Sequence, residues 1–127
     1  MKVLSGMVLS AMIYAGSVLG GEISTRVWQI SDLKDESNAT VLGMVLDVEY
    51  AKSVFRVNGV MFFDDGAAGA VGTGYAGEAP GIYYVYLNVA HHFFLVSLDA
   101  SLNGTIDLYT PDSEVFDSGT VTYEGME

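Results

Sequence analysis

Cysteine is absent from the 127 residues. No disulfide, thiolate metal ligand or cysteine nucleophile is therefore available, and the core alone must hold the fold. Basic charge is almost as scarce. Five Lys and Arg stand against sixteen Asp and Glu, and the last of the five is Arg56. From Val57 to Glu127 there are ten acids and no Lys or Arg. Such a surface repels phosphate backbones and anionic lipid, which argues against nucleic acid as a partner, and attracts cations and basic proteins. From Gly21 onward a sustained 3.6-residue apolar period, the mark of an amphipathic helix, is also missing.

What is present begins with a leader. Lys2 is the only charge in the first 21 residues, and Val3 to Leu19 is apolar or small. A positive start, an apolar run and a small-residue exit define a secretory signal peptide. Residues 1–20 are assigned to it, with cleavage after Gly20 as first choice and after Ser17 as second. An uncleaved membrane anchor is the alternative reading. Residues 21–127 then form one domain, large enough for a core without staples. Removing Lys2 shifts the net charge from −11 to −12. A small exported domain without disulfides is expected in the periplasm or the medium.

The remainder reads as strands and turns, rich in Val, Ile, Phe, Tyr and Thr. Ile23 to Ile30 is a first strand, followed by a polar loop to Asn38. In Leu42 to Tyr50, the residues Leu42, Met44, Leu46, Val48 and Tyr50 share a core face. Gly43, Val45, Asp47 and Glu49 are assigned to water. Asn58-Gly59 between apolar runs predicts a type I′ hairpin pairing Val57 with Val60 and Phe55 with Phe62, all four on the core face. One long strand through Asn58 is the alternative. Asp64 to Gly81 holds six glycines and Pro80. It reads as a long mobile loop, with a short strand over Ala70 to Tyr75 as an option. Ile82 to Val89 is apolar on both faces, and Phe93 to Leu98 resembles it. Asn103-Gly104 turns the chain into Thr105 to Tyr109, Thr110 to Ser113 turns it again, and Phe116 to Tyr123 is the last strand. Seven or eight short strands in succession predict an all-β antiparallel up-and-down barrel, with a β-sandwich as the alternative. The strands read as too short and too acidic at their ends for an outer-membrane barrel.

Motifs that carry chemistry are few. Gly72 to Gly77 matches G-x-G-x-x-G by letter, but Pro80 and a strand follow where a dinucleotide site needs a helix. His91 and His92 are adjacent; on a strand they would point to opposite faces, a poor arrangement for one metal, and they read as part of the turn between two apolar strands. Asp64-Asp65 and the group Asp112, Glu114, Asp117 lack the spacing of a calcium loop. No Ser lies in a nucleophile elbow. No catalytic residue, metal or cofactor is assigned, and the chain is not read as an enzyme. Tyrosines are the better signal, because a rigid apolar body with a polar tip suits recognition. The candidate binding residues are Tyr83, Tyr84 and Tyr86, together with the acidic Asp112, Glu114 and Asp117.

Ser118-Gly119, followed by Tyr123, resembles the S-G-x-x-Y loop motif of small acidic periplasmic β-barrels that inhibit lysozyme. The tyrosine lies one residue too far and the disulfide common in that family is missing. The likeness spans six residues, so no functional residue is carried over. The expected function is a non-catalytic exported binding or inhibitor-like module. It would be a monomer, not membrane-embedded after processing, with a cationic protein or a small ligand as partner. The alternatives are a structural protein self-associating through Tyr/Phe strands and a carboxylate-dependent hydrolase.

Overall fold

β-Branched and aromatic residues favour extended backbone, and alternation decides which side chains share a face. The computed structural model describes residues 23–51 and 54–126; the expected signal peptide lies outside them. Eight strands follow in order: β1 (Ile23–Ser31), β2 (Val41–Ala51), β3 (Val54–Phe63), β4 (Gly66–Ala76), β5 (Tyr83–Val89), β6 (His92–Leu98), β7 (Gly104–Tyr109) and β8 (Val115–Met126). Each pairs antiparallel with the next, and β8 returns to β1. The expected all-β fold is thus a closed up-and-down barrel, and closure removes the sheet edges a sandwich would keep.

Alternate residues of each strand fill the interior. Trp28, Met44, Leu46, Val57, Met61, Val85, Leu87, Phe94, Val96, Ile106, Leu108 and Val121 form one buried cluster. One end of the barrel is plugged by the β1–β2 loop. Leu33 is fully buried beneath it, and the Leu33 carbonyl accepts from Val41 N at 2.9 Å. The Asp35 carboxylate shapes the loop by accepting from Ser37 N and Ala39 N, each at 2.9 Å. Gly119 on β8 makes room for the plug, since a Cβ there would lie 2.8 Å from that of Leu33.

Several expectations are corrected. Asn58-Gly59 is not a hairpin turn. It lies inside β3, where Asn58 pairs with Asp47 and Val71, and Gly59 with Leu46 and Ala70. Neither residue has positive φ. Ladders on both sides outweigh the local turn preference, and the face assignment changes with it. Phe55 and Val57 point inward, whereas Phe62 joins Val27 and Val45 in a small cluster on the outer surface, with Val60 packed against it. The glycine-rich stretch is not a loop either. Only a two-residue turn, Asp64-Asp65, precedes β4, which runs for eleven residues. Gly74 accommodates the Phe55 ring, which a Cβ would approach to 2.4 Å.

On β2, Leu42 is exposed rather than core. It is the extra residue of a bulge between Val41 and Gly43, so Val41 and Met44 both turn inward. Asp47 and Glu49, assigned to water, are only 5% and 6% exposed, and the Thr25 hydroxyl donates to Asp47. The strands are longer than expected: β2 and β4 have eleven residues and β8 has twelve.

Candidate functional site

In an up-and-down barrel the β1–β2, β3–β4, β5–β6 and β7–β8 connections share one end. Opposite the plugged end, among the described residues, the barrel opens into a cavity of about 550 Å³. Its walls come from both ends of the chain and from strands around the barrel. β1 contributes Ser24, Arg26 and Trp28; β2 Met44, Leu46, Val48 and Tyr50; β3 Phe55 and Val57; β5 Tyr83 and Val85; β6 Val96 and Leu98. The β6–β7 loop adds Ala100 and Leu102, and β8 adds Met126. The volume falls within the range of small-molecule sites, roughly 300–1,000 Å³.

The floor is braced. Trp28 Nε1 donates to the Leu102 carbonyl at 2.9 Å, which ties the indole to the β6–β7 loop. That loop is itself set by Asp99, whose carboxylate accepts from Ser101 N at 2.8 Å and Asn103 N at 3.1 Å. The turn therefore spans Asp99 to Asn103 rather than Asn103-Gly104, and Gly104 already opens β7. Asn103 Oδ1 accepts from Tyr123 N at 2.8 Å, locking the same loop to β8. Along one side of the mouth run three rings, Tyr50, Phe55 and Tyr83, with successive centroids 5.2 and 5.9 Å apart.

The charged group of the cavity, among the described residues, is Arg26. Its Nε donates to Ser24 Oγ at 3.0 Å, and its Nη1 to Tyr123 Oη at 2.8 Å. Tyr123 also packs against Trp28, centroids 5.4 Å apart. Arg26 sits one inward position nearer the mouth than Trp28. Of the described basic residues, Lys34 and Arg56 are on the outside, and Arg26 alone turns inward.

The residues singled out from the sequence do not converge. Tyr83 lines the cavity, but Tyr84 and Tyr86 face outward on the same strand, as alternation requires. Tyr86 belongs to a row of outer rings with Tyr75, Phe93 and Tyr109 across β4 to β7. Asp112 and Glu114 lie exposed at the plugged end, and Asp117 accepts from Lys34 N at 2.9 Å, a structural bond that steadies the plug. Ser118, Gly119 and Tyr123 lie in a strand rather than an exposed loop, with Tyr123 inside and Ser118 Oγ donating to Asp107 at 2.6 Å. Arg26 was missed as a site residue. Its signal was parity: Ser24, Arg26, Trp28 and Ile30 fall on one face of β1, the face of the sole Trp.

No protein-family model matches the chain, nor does any curated protein or solved structure.

Proposed function

We propose that this chain is an exported, non-catalytic binding module that takes a small, mainly apolar ligand into the open end of its barrel. One observation carries the reading: a cavity of about 550 Å³, walled by aliphatic and aromatic side chains, opens at one end of an otherwise packed barrel. Packed interiors rarely leave voids much larger than a water molecule. A braced apolar cavity of this size is the form a ligand site takes.

Nile red, a neutral apolar dye, tests this. It should bind one per protein with a blue-shifted emission. Val48→Trp, which fills the mouth from β2, should weaken binding at least about tenfold while far-UV circular dichroism stays unchanged. Absence of saturable binding, or equal binding by that variant, would refute the cavity as the site.

A second reading keeps the cationic-protein partner, supported by charge placement. Asp32, Glu36, Asp64, Asp65, Asp112 and Glu114 are all exposed in the loops of the plugged end. Opposed charge at exposed sites governs association rate and is screened by salt. Lysozyme, as a cationic probe, should associate more slowly with an Asp112→Asn/Glu114→Gln variant than with the unaltered protein. Identical association rates at low salt would remove this reading without touching the first.

A further inference from the structure

We infer that the cavity selects amphiphiles with a single carboxylate headgroup, held by Arg26 with the apolar tail directed into the barrel. This rests on the proposal that the cavity binds a ligand, and adds the class of ligand.

A guanidinium stays charged at any pH a protein survives, and a charge in apolar surroundings is costly unless it is paired. The chain has sixteen acids, yet none lines this cavity among the described residues. Among the described residues, the groups on Arg26 are the hydroxyls of Ser24 and Tyr123, with the Tyr123 ring 5.8 Å from the guanidinium carbon. They accept hydrogen bonds but carry no charge, so they orient the guanidinium without neutralising it. Two of its five N–H groups are used in this way. Among the described residues, one on Nη1 and both on Nη2 remain. A carboxylate has two oxygens at the spacing of the Nη1–Nη2 fork and would complete the set as a bidentate pair.

Position fits the same ligand. Ser24, Tyr50 and Met126 are near the rim, Arg26 is one step in, and Trp28, Met44 and Leu46 form the deeper wall. A polar head at Arg26 therefore remains near the mouth, while a tail lies against the aliphatic residues below and across. The charge of the rest of the molecule opposes any anion at long range. At physiological ionic strength exposed charges are screened beyond about 8 Å, whereas a contact inside the cavity is screened far less. Selectivity for an anion in so acidic a protein must then come from Arg26, which makes the inference sharp.

The test uses three probes with the same tail: decanoate, decan-1-ol and decylammonium, titrated by calorimetry at 0.15 M sodium chloride below their micellar range. Decanoate should bind about tenfold or more tightly than decan-1-ol, because hydrogen bonds to charged groups contribute more than neutral ones. Decylammonium should bind weakest. Arg26→Gln should abolish the preference of decanoate over decan-1-ol while leaving decan-1-ol binding within about threefold. Tyr123→Phe, which removes one orienting hydroxyl, should reduce the preference in part. If Arg26→Gln does not fold, the order of the three probes on the unaltered protein still decides. Equal binding of decanoate and decan-1-ol overturns the carboxylate inference and leaves the cavity reading intact. Absence of binding by all three, together with Nile red, overturns the cavity reading itself.

Discussion

A Cβ on Gly72 would lie 1.8 Å from the carbonyl oxygen of Tyr86, and one on Gly59 2.0 Å from that of Val45. Both are backbone atoms of a paired neighbour and cannot rotate away. These two glycines therefore mark places where strands press together as the sheet coils into a barrel. Gly72→Ala should cost about 2–4 kcal/mol in urea unfolding, on the scale of severe overpacking. Gly69 lies on the same strand with nothing within 4 Å of its would-be Cβ, and its φ is not positive. Gly69→Ala should be neutral or stabilise by about 0.5 kcal/mol, by restricting the unfolded chain. Similar losses at both sites would mean that composition, and not close approach, governs β4. Arg26 belongs to the same scale: one side chain whose parity, not its type, places it in the cavity.

Strands β1, β2 and β5 to β7 were legible in the sequence because each is a local run of β-branched, aromatic and aliphatic residues bounded by turn residues; in β7 alternation is also clear, with Ile106 and Leu108 buried and Thr105, Asp107 and Tyr109 less so. β4 was legible only as an optional short strand over Ala70 to Tyr75, because the reason for its glycines lies on other strands, in Phe55 and the backbone of Tyr86. Nor was the middle of β3. Asn-Gly is a strong turn signal only when no neighbour competes, and here Asp47 and Val71 hold Asn58 from both sides. The bulge at Leu42 reversed a face by one residue, a shift that no period count detects. The cavity was half legible: Tyr83 was singled out, whereas Arg26, Trp28 and Phe55 acquire their roles only when β1, β3 and β5 are brought around one axis. Hydrogen exchange measures the difference between loop and strand directly. The amides of 70–75 should exchange slowly, as members of two ladders, and those of Glu78, Ala79 and Gly81 quickly. Fast exchange throughout 70–75 would restore the loop reading.

The molecule as a whole separates charge along its axis. Among the described residues, six exposed acids crowd the loops of the plugged end, while the mouth loops carry Glu78 and Asp99. With a net charge of −11 the folded state holds like charges closer together than the unfolded chain does, so repulsion works against folding. Exposed charges interact across roughly 30 Å at 0.01 M salt and about 8 Å at 0.15 M. Sodium chloride over that interval should therefore raise the Tm. A gain of ~1 kcal/mol corresponds to about 4–8 °C for a domain of this size. If the crowded end is the source, the Asp112→Asn/Glu114→Gln variant should start with a higher Tm at low salt and respond less to added salt, while neutralising Asp99 at the other end should change the response little. The ligand binding proposed at the mouth would act through a separate route, by mass action on the native state, at about 2.7 kcal/mol when the ligand is at a hundred times its Kd. The two effects should add, because the plugged end and the cavity share no side chain. A salt response that is unchanged in the variant would place the repulsion elsewhere on the surface, and a Tm that falls with salt would show that favourable ion pairs outweigh it.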